Sequence, residues 1–253
     1  MENVINIIYT MWIRDMLKFW RSKSRIIGAL STPLTFMVFL GPGLISGFRF
    51  REGGDIDISF FAPGFIGMSV LFASLFSGVS VIWERELGIL KDILISPASR
   101  FLIALGKAFG GVTIAMIQGI LIMIIAVFIG VSYVSFVGVL AGIVVMFLSG
   151  IGFIGLGIAL ASKIDNHEGF QMIMSFLTMP LVMLSGGFFP ISDLPVWLKS
   201  LVYINPLTYG VEALRWSLLG SSTIPILLSV TVLIVFAIIT LGIAGKLFGK
   251  MRI

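Results

Sequence analysis

Charged and apolar positions fall into long, separate blocks along this chain. Residues 26–48 and 58–83 carry no charge, and 108–162 runs for 55 residues without one. Runs of this kind exceed the roughly 20 residues an α-helix needs to cross a bilayer core. At about 1.5 Å per residue, one helix over 108–162 would far overshoot a core of about 30 Å. That run is therefore two spans, turning in the Gly-, Ser- and Tyr-bearing stretch 130–138. Residues 169–190 and 223–246 supply two more. The pattern predicts an all-α polytopic membrane protein. It is one domain over 1–253 with six transmembrane helices: two within 26–82, two within 103–162, then 169–190 and 223–246.

The remaining segments read differently. In residues 1–25, Tyr9, Trp12, Ile13, Met16, Phe19 and Trp20 recur near helical spacing, with Arg14, Asp15, Lys18 and Arg21 mostly elsewhere on the wheel. This predicts an amphipathic helix lying in the membrane interface, aromatics dipped inward and cations toward headgroups. Residues 191–222 are too apolar for free solution and too interrupted, by Pro195 and Pro206 following Pro190, to span. They are expected to form short re-entrant helices in the outer leaflet, supported by neighbouring protein. Asn205-Pro206 makes a helix start, Asn as the cap and Pro in the first turn, and Glu212 and Arg215 would then stand one turn apart and pair. Residues 83–100, WERELGILKDILISPASR, hold the densest mixed charge: Glu84, Arg85, Glu86, Lys91, Asp92 and Arg100. As a helix beneath the membrane they would carry their charges away from the bilayer, and Ser96-Pro97 would end or bend it. As a loop they would only be solvated.

Composition narrows the class. The chain is 58% hydrophobic and 11% charged, with mean hydropathy +1.13, too few charges to cover a soluble exterior. Continuous apolar runs are the wrong pattern for a transmembrane barrel. The net charge of +5 reflects cations at membrane edges rather than a nucleic-acid surface. With cytoplasmic termini and six spans, 13 of the 17 Lys and Arg residues fall on the inner side, which favours that orientation and places 83–100 in the cytoplasm. No cleavable signal peptide is expected, because residues 1–25 carry seven charges and the next apolar run is too long.

Several chemistries lack their residues. No cysteine is present, which removes thiolate ligands and nucleophiles. There is no P-loop: Gly106-Lys107-Ala108 lacks both the upstream glycine and the hydroxyl. The sole histidine, His167, sits beside Asp165 and Glu168, and without a second His it reads as a solvated loop rather than a metal site. No G-x-S-x-G occurs. The spans hold almost no ionisable group, Gln118 being the main polar candidate, which argues against proton- or sodium-coupled transport. A driving force would come from outside this chain.

Two motifs carry a resemblance. Glu84-Arg85-Glu86-Leu87-Gly88-Ile89-Leu90-Lys91-Asp92 followed by Ser96-Pro97-Ala98-Ser99-Arg100 resembles the E-R-E-x-G-T-L-x-x-L-x-x-[ST]-P block of ABC type-2 exporter permeases, with Ile89 where the family often has Thr. Leu184-Ser185-Gly186-Gly187-Phe188-Phe189-Pro190, then Leu194-Pro195 and Asn205-Pro206-Leu207-Thr208-Tyr209, resembles that family's S-G-x-x-[FY]-P…L-P…N-P block before the last span. The resemblance covers nearly the whole chain. It implies a half-transporter: a homodimer of permeases engaging two separate ABC ATPase subunits, which bind the ATP and magnesium, so that no cofactor belongs to this chain. Residues 83–100 would be the cytoplasmic coupling helix, with Glu84, Arg85, Glu86, Gly88, Lys91, Asp92, Ser96, Pro97 and Arg100 at the ATPase contact. Gly186, Gly187, Pro190, Asn205, Pro206, Glu212 and Arg215 would belong to the outer re-entrant segment. A compact chain without its own ATPase suggests a bacterial or archaeal plasma membrane.

Two stripes are candidates for a substrate path: Phe65, Met68, Phe72 and Phe76 in the second span, and Met172, Phe176, Met179 and Met183 in the fifth. Met and Phe form adaptable apolar surfaces, suited to an amphipathic drug-like molecule, lipid or lipid-linked glycan; such stripes also serve as packing or lipid contact. The alternatives to export are an intramembrane lipid-modifying enzyme, which would need a buried catalytic carboxylate or histidine, and an anchoring or assembly protein without transport.

Overall fold

The computed structural model describes residues 4–43, 46, 57–90, 99–164 and 166–251, with backbone alone at 23–26 and 29. Among these residues the chain is helical and contains no strand. In order the helices are α1 (Val4–Arg21), α2 (Lys23–Thr35, continued by a π-helical turn Phe36–Leu40), α3 (Ala62–Ser77), α4 (Val79–Glu86), α5 (Arg100–Phe128), α6 (Phe136–Ala161), α7 (His167–Met183), α8 (Val196–Ile204), α9 (Pro206–Leu219) and α10 (Ile226–Gly249).

Four helices are long and apolar enough to cross a membrane: Ile58–Glu86, which joins a 3-10 turn to α3 and α4, then α5, α6 and α10. At the first expected span the described chain is helical from Lys23 through the π turn to Gly43, with Pro33 inside it and Leu30–Gly43 as its apolar part. At the fifth, α7 has 17 residues, about 26 Å of helix.

Local chemistry sets the ends. Asp57 accepts hydrogen bonds from the Ile58 N–H at 2.7 Å and the Ser59 hydroxyl at 2.8 Å, starting the turn into α3. The long uncharged run divides into α5 and α6 between Phe128 and Phe136, where Gly130 has φ +107° and the Ser135 hydroxyl caps α6 by accepting the Gly138 N–H at 3.0 Å. Tyr133 closes this turn by donating to the Met123 carbonyl at 2.7 Å. Burial pushes its phenol above the usual tyrosine range, so it remains a donor. Asn166 caps α7 through the Gly169 N–H. Asn205 caps α9 through the Leu207 N–H at 3.0 Å with Pro206 next in line, and Gly220, left-handed at φ 75°, ends it.

α3 is the centre of the bundle. It is apolar on all sides and packs against α5, α6 and α9, so nearly every residue is buried. Backbones touch at two crossings. A Cβ at Gly78 would lie 2.6 Å from the Gly157 backbone, and one at Gly64 would lie 2.7 Å from the Gly187 carbonyl oxygen. Small residues allow this approach where lipid gives no hydrophobic push between helices. α1 lies along α5: Met16 and Phe19 are buried, Trp12 donates its indole N–H to the Thr113 hydroxyl at 3.0 Å, and Tyr9 and Trp20 stay exposed. The aromatic positions of α1 thus divide between the bundle and its outer side.

Candidate functional site

The charged block lies at the end of the bundle where α4 stops. The Leu87 N–H donates to the Trp83 carbonyl and the Gly88 N–H to the Arg85 carbonyl, while Gly88 takes φ +73°, the left-handed turn that ends a helix. Helix resumes at Ile89 and Leu90, and Ser99 precedes α5. Lys91, Asp92, Ser96 and Pro97 lie outside the described residues.

Glu84 corrects the expectation of an outward carboxylate. It is 3% exposed and points into the bundle. Its Oε1 lies 2.7 Å from Arg14 Nη2 and 2.8 Å from Lys18 Nζ, both on α1, and its Oε2 lies 2.5 Å from Lys107 Nζ on α5. A buried carboxylate costs several kcal/mol of lost hydration, which the adjacent cations offset. Three helices therefore meet on one side chain.

Its neighbours tie the same turn to other helices. Arg85 donates to the Ala161 carbonyl at 2.7 Å, tying α4 to the end of α6. Glu86 accepts the His167 N–H at 3.2 Å, placing a carboxylate at the start of α7, where a helix has unpaired donors. Trp83 packs on the His167 ring, centroids 5.1 Å apart. Arg100 donates to the carbonyls of Gly249 at 2.9 Å and Met251 at 3.3 Å, at the end of α10. Outward at the turn stand the apolar side chains of Leu87, 65% exposed, Ile89 and Trp83, with the exposed carboxylate of Glu86 among them.

Sequence reasoning missed Arg14, Lys18 and Lys107 as partners. Lys107 was the available signal. It is a cation inside the apolar length of α5, beyond Arg100 at the helix start, and requires a counter-ion nearby; Gly106 before it brings α1 close, since a Cβ there would lie 2.6 Å from Met11 Cβ.

The substrate-path stripes separate. Phe65 and Met68 are enclosed in the core, Phe65 edge-on to Phe188 with centroids 5.4 Å apart, and they present no free surface; α9 and the 186–188 turn cover that part of α3. Phe72 and Phe76 are half-buried and stacked, centroids 6.1 Å apart. On α7, Met172, Phe176 and Met179 face away from the bundle and Met183 is half-buried.

A second polar cluster surrounds α9. Glu212 and Arg215 are ion-paired and buried. Arg215 also donates to the Gly186 carbonyl at 2.8 Å and lies 4.4 Å from the Phe60 ring centroid, while Glu212 accepts the N–H groups of Thr223 at 2.5 Å and Ile224 at 3.3 Å. Asn205 donates to the Leu181 carbonyl at 2.7 Å. Gly187 meets Gly64, and Pro190 leads into the 3-10 turn Ile191–Asp193. The residues predicted for the outer segment therefore form one connected structure around α9.

Comparison with known proteins matches the sequence to a family. A family model described as ABC-2 type transporter matches residues 6–219. Nodulation protein J of Rhizobium leguminosarum bv. viciae is 25% identical over 246 residues, covering 95% of this chain and 93% of that protein. The transport permease ycf38 of Cyanophora paradoxa is 28% identical over 211 residues, 83% of this chain and 73% of its own length. YbhR of Escherichia coli (strain K12), named as a multidrug ABC transporter permease, is 27% identical over 176 residues, 68% of this chain and 47% of that protein.

Proposed function

The chain belongs to the ABC-2 type transporter family, a membrane permease of an ABC transporter, and on that premise we propose that it exports an amphipathic molecule under the drive of a separate ATPase subunit. The observation carrying this reading is the anchoring of the turn after α4. Glu84 holds α1 and α5, Arg85 holds α6, and Glu86 holds the start of α7. A push on the turn would reach α1 and α5 through a buried ion cluster, whose disruption costs about 3–5 kcal/mol, and α6 and α7 through single hydrogen bonds. The exposed apolar tip, Leu87 and Ile89, suits contact with a partner surface, and Lys91, Asp92, Ser96 and Pro97 continue that contact in this reading. Arg85, Glu86, Gly88 and Arg100 set its position.

The finer topology follows from the same reading. Leu30–Gly43 and α7 complete six spans, α1 lies in the inner interface, and α8 with α9 re-enters the outer leaflet. The distribution of 13 of 17 Lys and Arg residues supports cytoplasmic termini, and the membrane of this reading is a bacterial or archaeal plasma membrane. The outward Met and Phe face of α7 supports a homodimer engaged by two ATPase copies. The name of one relative, a multidrug permease, supports a drug-like cargo among the amphipathic candidates.

The test is co-expression with ABC-type P-loop ATPases from the same genome, extraction in mild detergent, and measurement of stoichiometry and ATPase rate. A complex of two permeases and two ATPases is expected, and Leu87→Asp with Ile89→Asp should abolish it without unfolding the chain. A folded chain that holds no ATPase in detergent or nanodiscs would overturn the reading.

A further inference from the structure

A cleft of about 440 Å³ opens within the single chain, between α1, α2, α3 and α5. Asp15 and Lys18 of α1 stand at one end, beside the Glu84 cluster, and the wall is built by Phe72, Phe76 and Ile114. Gln118 also lines it. That side chain is 2% exposed, and its amide oxygen is buried without a hydrogen-bond partner. On α5 it lies three turns beyond Lys107, about 16 Å further along the axis. The cleft therefore runs from charged side chains into the apolar bundle and holds an unpaired amide at depth, which is costly to leave unmatched.

Among the described side chains, the charges facing this end are Arg14, Lys18 and Lys107 against Asp15 and Glu84, an excess of one positive charge. We propose that the cleft binds an anionic amphipath within one chain: its head at Lys18, its apolar body on Phe72 and Phe76, and a hydroxyl or amide of the ligand at Gln118. This deepens the export reading and rests on it for one point only, whether the occupant is a cargo or a resident anionic lipid.

The probe is 12-hydroxystearate carrying a chain diazirine, with the matching stearate and methyl ester probes, applied to the full chain in phosphatidylcholine nanodiscs. Adducts are mapped by mass spectrometry. The hydroxy acid should label α3 and α5 along the cleft several-fold more than either control. Gln118→Leu should erase its advantage over stearate, and Lys18→Gln its advantage over the ester. A Cβ at Gly28, on the α2 wall, meets nothing within 4 Å. Gly28→Phe, whose Cβ has open space, should therefore occupy the cleft and cut its labelling at least tenfold, while labelling of α10 persists. Labelling spread equally over the cleft and α10, or unchanged by Gly28→Phe, would overturn the site. With the ATPase and ATP added, release of the probe marks a cargo and retention marks a resident lipid; either result follows only from a site that labels. Failure to assemble with an ATPase overturns the export reading and leaves the labelling result standing.

Discussion

The ammonium of Lys107 lies 2.5 Å from Oε2 of Glu84, with both side chains enclosed in the bundle. The opposite carboxylate oxygen is held by Arg14 and Lys18, so the anion has three cations and each cation has a different degree of exposure.

Glu84→Gln leaves those cations around a neutral amide. The expected loss of stability is about 3–5 kcal/mol, the cost of breaking a buried pair from one side. Lys107→Met should cost less, because Arg14 and Lys18 still meet the carboxylate. The half-exposed Lys18 should cost least, its pairing being screened by solvent. Thermal unfolding midpoints of the detergent-solubilised variants check this order; equal midpoints for Glu84→Gln and Lys18→Gln would contradict it.

On α9 the two partners should differ. Arg215→Met leaves Glu212 with the Thr223 and Ile224 N–H groups, whereas Glu212→Leu strands Arg215 and those two backbone donors together. Glu212→Leu is expected to be the more damaging by about 1–3 kcal/mol, the cost of unsatisfied buried groups. A double-mutant cycle on the unfolding midpoint isolates the pair.

Gly78→Ala places a methyl against the Gly157 backbone, where neither neighbour is a flexible side chain. The helices must separate, at an expected cost of about 1–3 kcal/mol. Gly43→Ala, where a Cβ meets nothing within 4 Å, is the control and should be nearly neutral. Monodispersity on gel filtration and the unfolding midpoint both report the difference.

Gly88 sits at φ +73° with open space around it, so the penalty of a side chain there is conformational rather than steric. Gly88→Val should cost about 1–2 kcal/mol and Gly88→Asn clearly less, since Asn tolerates the left-handed region. In the assembled complex the Val variant should lower cargo-stimulated ATPase activity more than it lowers the unfolding midpoint.

Features written in local chemistry were legible before the structure. Asn205-Pro206 announced its own cap, Glu212 and Arg215 lay one helical turn apart, and the 55-residue uncharged run was too long for one helix. Features that depend on which helices meet were not. Arg14 reaches Glu84 across 70 positions of sequence, and nothing in the motif shows that α1 would lie there. The stripe from Phe65 to Phe76 has helical spacing, but in a chain this apolar every face of a helix is greasy. Periodicity cannot then tell the enclosed Phe65 from Phe72 on a cleft wall. Span number suffered similarly: hydropathy shows where apolar residues run, while in the run 169–190 the helix stops at Met183 and the chain turns from there to Pro190.

The position of α1 against α5 also separates the order of synthesis from the order of docking. Arg14 and Lys18 leave the ribosome long before Glu84, and Lys107 follows later still. Through the insertion of α2 to α4, α1 has no α5 to lie on and its cations have no enclosed counter-ion. It is made early and docks late, so the first helix of the chain closes an assembly that the fifth makes possible.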